Sequence, residues 1–182
     1  LLARILEAPY NGKYVQFVFF WRGEIAYRNS KTDDALIYFV NYLKDPVVNG
    51  EVRELNARYN AGYCELKKEN YKSALGYFQD VTKTIFATST LMQQDAFLRA
   101  ADCYFMLKDF TKASKMYDDI INQSLAQADY ALYQKAIIAG ASNKVNDKIS
   151  LLQSLSTRFP NSALVSDANM EIAITYLQVE NW

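Results

Sequence analysis

Residues Tyr59 to Val81, YNAGYCELKKENYKSALGYFQDV, decide how the rest of the chain is interpreted. Two amphipathic helical runs are joined here by the polar pair Glu69-Asn70. Each run carries one small residue, Gly62 in the first and Ala74 in the second. Small residues let two helix backbones approach closely, so this stretch predicts two short helices packed face to face.

The same pattern recurs along the chain at a nearly fixed spacing. Ala35, Ala74 and Ala113 are separated by 39 residues each time (74 − 35 and 113 − 74), and Lys148 takes the same position 35 residues after Ala113. A period of 20–50 residues indicates a tandem repeat. We therefore predict a single array with these units: 1–9 (end of a preceding repeat), 13–46, 50–86, 91–124, 126–160, and 162–182 (first helix of a fifth repeat).

The helix–turn–helix unit with a small residue in each helix resembles the tetratricopeptide repeat, a unit of about 34 residues. The resemblance implies an all-α fold: a right-handed superhelix, or α-solenoid, of tandem antiparallel helix pairs. It also implies a concave groove lined by the first helix of each repeat. Because Glu180-Asn181-Trp182 resembles Glu69-Asn70-Tyr71, we expect the chain to be a fragment of a longer protein.

A second resemblance concerns the compartment. The phrase Phe159-Pro160-Asn161-Ser162, followed by an alanine-rich helix, is similar to repeats of bacterial envelope tetratricopeptide proteins. Those proteins include the Tol–Pal-associated cell-division coordinator and the lipoprotein of the outer-membrane assembly machine. This resemblance implies a bacterial cell-envelope location, periplasmic or lipoprotein-anchored, with the cytoplasm as the alternative.

Composition excludes several classes of protein. The chain is 51% hydrophobic with 14 Tyr and 10 Phe, which is too apolar for a disordered segment. Lys and Arg together number 20, as do Asp and Glu, so no basic stripe indicates nucleic-acid binding. The longest nearly apolar run, Val15 to Trp21, is far shorter than the roughly 20 residues of a membrane span, so this segment is not expected to insert into a membrane.

The sequence contains no recognisable catalytic set, cofactor motif or metal-ligand spacing. Histidine is absent, which removes the commonest general base and metal ligand, and no glycine-rich phosphate loop occurs. We therefore predict a non-enzymatic protein with no cofactor and no metal. Cys64 and Cys103 lie 39 residues apart on successive first helices. Because packed helix axes are about 8–10 Å apart and a disulfide needs Cα atoms within about 7 Å, we predict two free, buried thiols.

The remaining candidate site is the groove that the resemblance implies. The spacing from the small-residue positions predicts a partner-binding set of outward-facing residues: Phe20, Glu24, Tyr27, Asn56, Tyr59, Tyr63, Asp95, Leu98, Asp102, Phe105, Tyr130, Tyr133 and Ile137. Tyrosine provides contact area and a polar tip at interfaces, although these rings could equally fill space between successive first helices. The acids Glu24, Asp95 and Asp102 favour a partner segment that carries Lys or Arg.

Two hypotheses of function follow. The first is a scaffold for protein–protein interaction that binds an extended peptide or a partner protein, of unidentified sequence, in the groove. The alternative is a structural spacer or self-assembly module within a longer multi-repeat envelope protein. Binding of the terminal carboxylate of a heat-shock chaperone is excluded. Glu24 and Asp95 stand where related co-chaperones carry Asn and Lys, and both acids would repel that carboxylate.

Overall fold

The computed structural model describes residues 12–50 and 52–180, which contain nine α-helices and no β-strand. The helices are α1 (Gly12–Arg28), α2 (Thr32–Tyr42), α3 (Glu54–Lys67), α4 (Tyr71–Val81), α5 (Leu91–Met106), α6 (Phe110–Asn122), α7 (Ala128–Ala141), α8 (Val145–Arg158) and α9 (Val165–Glu180). The predicted all-α helical-repeat class is confirmed. The predicted helix end at residues 1–9 and the turn at Asn181-Trp182 lie outside the described residues.

The helices are divided between two compact units. The first comprises the chain up to Thr84 together with Asp95–Cys103, and the second comprises Ile85–Gln94 together with the chain from Tyr104 onward. In the first unit α1 packs on α2, α2 on α3, and α3 on α4. In the second unit α6 packs on α7, α7 on α8, and α8 on α9. From α1 to α4 and from α6 to α9, consecutive helices therefore pack on one another, while the predicted repeat boundaries stay a prediction.

The four turns that follow first helices share one backbone conformation. Ser30, Glu69, Lys108 and Asn143 have φ angles of +59°, +60°, +62° and +57° in the left-handed region. The Glu69 N–H donates to the Leu66 carbonyl at 3.0 Å, and the Asn70 N–H donates to the Glu65 carbonyl at 2.9 Å. This pair of bonds is the Schellman motif that ends many helices. The repeat therefore fixes the turn geometry even though none of the four residues is glycine.

Glycine is required where the helices of the first two hairpins cross. A Cβ built on Gly62 would lie 2.8 Å from Phe78 Cε1, and one built on Gly23 would lie 2.7 Å from Phe39 Cε1. Both distances are shorter than a real Cβ contact, so only glycine fits beneath these rings. Ala74, the small residue of the second helix, is fully buried. The predicted small-residue contact is therefore confirmed.

The α7–α8 hairpin carries a large residue at a repeat position that is small in the three earlier hairpins. Lys148 occupies the position that Ala35, Ala74 and Ala113 hold elsewhere, and its stem passes over Gly140, whose Cβ would lie 2.9 Å from Lys148 Cδ. The Lys148 ammonium lies 2.7 Å from Glu171 Oε2 on α9, and the lysine side chain is only 12% exposed. A long aliphatic stem with a paired charge thus replaces a small residue.

Both cysteines are free and fully buried, as the sequence predicts. Burial raises the pKa of the Cys64 thiol, and likewise that of Cys103, to about 12. A thiol reacts as its thiolate, so these two side chains are inert members of the core.

Backbone geometry sets both ends of the α3–α4 hairpin. The helix α3 begins only at Glu54, because Asn49 and Val52 exchange two 3.0 Å backbone hydrogen bonds around Gly50, which has φ +59°. The helix α4 ends at Val81, because Thr82 is extended with φ −157°.

The first turn of α5 is capped by Thr90 and Gln93. The Gln93 N–H donates to Thr90 Oγ1 at 3.3 Å, and the Thr90 N–H donates to Gln93 Oε1 at 3.0 Å. These reciprocal bonds form a capping box that satisfies donors at the helix start.

Candidate functional site

The candidate site is the surface formed in the first unit by α1, α3 and residues 95–103 of α5. We call it the first-helix face, since each of these helices opens a predicted repeat. Polar side chains link α1 to α3 and α3 to α5 across this face. Its residues come mainly from the predicted partner-binding set, with additional members that the sequence did not single out.

Two tyrosines of α3 converge on one carboxylate of α5. The Tyr59 hydroxyl donates to Asp95 Oδ2 at 2.8 Å, and the Tyr63 hydroxyl donates to the same oxygen. The two rings meet edge-to-face with centroids 5.0 Å apart, and the Tyr63 ring packs edge-to-face on Phe78 at 5.4 Å. Aromatic packing at one end and hydrogen bonds at the other therefore hold both rings in a defined orientation.

The Asp95 carboxylate also belongs to an ion-pair network along α5. Arg99 Nε lies 3.4 Å from Asp95 Oδ1, and Arg99 Nη1 lies 2.6 Å from Asp102 Oδ2. The three side chains are 24%, 17% and 14% exposed for Arg99, Asp95 and Asp102. The guanidinium group thus compensates part of the negative charge that the sequence alone assigns to this face.

The link between α1 and α3 is polar as well. The Asn60 side-chain amide donates to Glu24 Oε1, and Arg28 Nε lies 3.8 Å from Glu24 Oε2. The Lys67 ammonium lies 4.1 Å from the centre of the Tyr27 ring, within the range of a cation–π interaction. The face therefore combines aromatic surface with a row of fixed polar groups.

Burial and the nearby carboxylate affect the ionisation of both tyrosines on α3. Burial first, and the bond to Asp95 second, raise the pKa of Tyr59 to about 12. The same causes in the same order raise the pKa of Tyr63 well above its usual range. Both hydroxyls consequently stay protonated at neutral pH and act as donors to Asp95.

Phe20 and Leu98 do not belong to a binding surface, which corrects the prediction. Phe20 is 2% exposed and Leu98 is 1% exposed. The Phe20 ring packs edge-on against Phe39 and Tyr42 of α2. Phe20, Tyr59 and Leu98 share one repeat position, which lies at the border between core and surface. An apolar side chain there turns inward, whereas the tyrosine hydroxyl reaches a carboxylate.

The other predicted residues are half-buried. They are Tyr27 and Asn56 in the first unit, and Phe105, Tyr130, Tyr133 and Ile137 in the second. Phe105 packs against Phe110 with ring centres 5.7 Å apart. Burial raises the pKa of Tyr133, and Glu171 and then Asp167 of α9 raise it further. Whether these residues contact a partner stays a prediction.

Sequence reasoning missed the roles of Asn60, Arg99 and Lys67 on the first-helix face. For Asn60, the sequence did contain a signal, namely its distance along the chain from its partner. The Asn60–Glu24 and Tyr59–Asp95 hydrogen bonds both join residues 36 positions apart. A search for polar pairs separated by nearly one repeat would have found both.

The described helices lack the features of two other kinds of site. Within residues 12–50 and 52–180, no group of three Cys, Asp or Glu side chains is arranged to hold a metal ion. None of the helices described combines the length and apolar character required to cross a bilayer.

Comparisons with known proteins indicate the same class as the fold. Residues 95–124 match the family model of the tetratricopeptide repeat. No curated protein sequence matches the chain. The fold defines a helical-repeat protein, in which residues 95–124 are similar to a tetratricopeptide repeat.

Solved structures show the same fold at low sequence identity. A tetratricopeptide repeat protein from Parabacteroides merdae has a TM-score of 0.72 at 15% identity, covering 96% of this chain. This chain spans 64% of that protein's length. YrrB, described as a TPR protein with an unusual peptide-binding site, has a TM-score of 0.66 at 18% identity over 99% of this chain and 84% of its own. The apo form of RapI has a TM-score of 0.63 at 14% identity over 97% of this chain and 73% of its own.

Proposed function

We propose that this chain is a non-enzymatic scaffold that binds an extended segment of a partner protein on the first-helix face. The observation that carries the proposal is the convergence of Tyr59 and Tyr63 on Asp95. Rings that only filled space would not need both hydroxyls directed at one carboxylate. Side chains fixed before binding lose little entropy when a partner arrives.

The chemistry of the face favours a particular kind of partner. Glu24, Asp95 and Asp102 provide three carboxylates against the guanidinium groups of Arg99 and Arg28. Lys67 balances the third charge, and the Asp95 carboxylate lies at the tips of the Tyr59 and Tyr63 rings. A segment with an Arg or Lys beside an apolar residue would complement both features. The similarity in fold to YrrB, a TPR protein with an unusual peptide-binding site, supports this class of function.

Selection of ligands from a random peptide library, followed by calorimetry, tests the proposal. Replacing Tyr59 and Tyr63 together by Ala is expected to weaken the selected peptides at least about tenfold, because buried aromatic anchors usually dominate such interfaces. Circular dichroism will confirm that the variant stays folded.

The matched control is Tyr71→Ala with Tyr77→Ala, which removes two rings from α4, the other helix of the same hairpin. This pair is expected to leave affinity nearly unchanged. Equal affinity of the Tyr59/Tyr63 variant and the unmodified chain would refute the proposed face.

The alternative function, a spacer or self-assembly module, is favoured by one feature of α9. Met170, Ile174 and Leu177 are 63%, 38% and 64% exposed and follow helical spacing along one side of the helix. Sedimentation velocity separates the two functions. A monomer that binds a peptide supports the scaffold, whereas association that Leu177→Glu abolishes supports self-assembly.

We also propose a bacterial cell-envelope location, supported by the resemblance of the Phe159-Pro160-Asn161-Ser162 phrase, with the cytoplasm as the alternative. Fractionation of cells that express the tagged full-length protein tests it. Recovery in the cytosolic fraction alone would overturn the proposed location.

A further inference from the structure

One position of the repeat holds a large residue in the first three repeats and glycine in the fourth. In the second repeat this position lies four residues after Gly62, and the first helices of the first three repeats carry Tyr27, Leu66 and Phe105 there. These positions are 39 residues apart (66 − 27 and 105 − 66), and the next one, 35 residues later, is Gly140. A large side chain is therefore absent at one equivalent position only.

A cavity of about 450 Å³ lies at this end of α7, within the second unit. Its lining includes Ile137 and Gly140 of α7, Val145 and Lys148 of α8, and Glu171 and Thr175 of α9. Aliphatic groups thus share the cavity with the Lys148–Glu171 ion pair, in which the two charged groups lie 2.7 Å apart. The volume is large enough for a side chain such as those that occupy positions 27, 66 and 105.

In the first unit, a ring at this position has a lysine beside it, which the next first helix, α3, supplies. The Tyr27 ring there lies under the Lys67 ammonium at 4.1 Å. Lys148 supplies an ammonium group beside Gly140, and none of the described residues that line the cavity carries a ring. A ring in the cavity could interact with this cation, and a phenol hydroxyl could bond to the Lys148–Glu171 pair.

We propose that the cavity beside Gly140 is a binding pocket for an aromatic side chain, of the tyrosine class, supplied by a partner segment. The ring contacts Ile137, Val145 and the Lys148 stem, and its polar tip meets Lys148 and Glu171. The source of the ring rests on the proposed scaffold function, whereas the pocket itself can be tested without any partner.

The test uses N-acetyltyrosinamide as the probe, titrated into the chain and followed by methyl and amide NMR. We expect saturable shifts in the millimolar range, the affinity expected for a small fragment, at Ile137, Val145 and Thr175. N-acetylleucinamide is expected to bind more weakly. Lys148→Met keeps the stem and removes the charge, and it is expected to weaken the tyrosine probe about threefold.

Gly140→Phe supplies the missing ring within the chain, as Phe105 does in the preceding repeat, and is expected to abolish the shifts. Gly140→Ala, whose Cβ would displace the flexible Lys148 stem, is a smaller second variant and is expected to weaken the probe. The matched control is Gly76→Phe on α4, where an added Cβ meets nothing within 4 Å, and it is expected to bind normally.

Absence of saturable shifts, or identical shifts in Gly140→Phe and the unmodified chain, would overturn the pocket. These results are independent of peptide binding at Tyr59 and Tyr63, which lie in the other unit. Failure of the pocket and failure of the proposed function can therefore be distinguished.

Discussion

The α3–α4 hairpin and the α7–α8 hairpin follow one repeat pattern but carry different residues near the turn. In α3–α4 two facing repeat positions hold Leu66 and the buried Ala74. In α7–α8 the equivalent positions hold Gly140 and Lys148, and the lysine stem lies against Gly140. The difference shows that the large side chain of such a pair can be placed on either helix of the hairpin. The lysine is tolerated because Glu171 pairs its charge.

Gly62→Leu is the substitution with the largest expected effect. Because even a Cβ would lie 2.8 Å from the Phe78 ring, the helices must separate or the ring must move. We expect a loss of about 1–3 kcal/mol in the free energy of unfolding, measured by urea denaturation. Gly76→Leu, on the open side of α4, should be neutral or stabilising by up to about 1 kcal/mol. Equal destabilisation by both would contradict the close approach.

Lys148→Ala tests the other hairpin directly. The variant restores the residue type of the first three repeats, but it removes a buried stem and leaves Glu171 without its cation. We expect a loss of about 1–2 kcal/mol: three buried methylenes contribute about 0.8 kcal/mol each, and removal of the buried ammonium offsets part of that. Lys148→Met should reduce the free energy of unfolding by less, because it keeps most of the stem. If the alanine variant were as stable as the unmodified chain, the lysine would not be a structural substitute for the small residue.

Alkaline titration examines the tyrosine cluster of the first unit. The Tyr59 pKa is raised to about 12 in the folded chain, against about 10 in an unfolded one. The unfolded state therefore loses this proton first, so stability is full below pH 10 and falls as pH rises from about 10 to 12. We expect a shallower fall in Tyr59→Phe over this interval, measured by urea unfolding at each pH. Identical slopes would contradict the raised pKa of Tyr59 in the folded chain.

The smallest expected effect concerns the turns, where the two hairpins again differ. Glu69 follows α3 and Asn143 follows α7, both with left-handed φ angles. Asparagine tolerates this conformation better than glutamate. Glu69→Gly is expected to raise the midpoint of thermal unfolding, corresponding to about 0.5 kcal/mol, and Asn143→Gly to change it less. A lower midpoint for Glu69→Gly would contradict the assignment of its turn.

Much of the fold could be predicted from the sequence because the repeat constrains it. Gly62 and Ala74 had to face a helix crossing, since no other arrangement explains small residues at a constant spacing. The candidate site was harder to predict. Spacing placed Phe20 and Tyr59 at the same repeat position, yet Phe20 is buried and Tyr59 reaches Asp95. The outcome at that position depends on whether a polar group on the neighbouring helix is within reach.

The sequence by itself determined the helix pairs, their crossing points and the buried, unpaired state of Cys64 and Cys103, because a recurring pattern of small and large residues permits one kind of packing. Only the tertiary structure decided that Asp95 accepts two tyrosine hydroxyls and that Lys148 pairs with Glu171. Each of those contacts joins residues more than 20 positions apart. Such contacts depend on how neighbouring helices are rotated and spaced, which no local pattern of residues specifies.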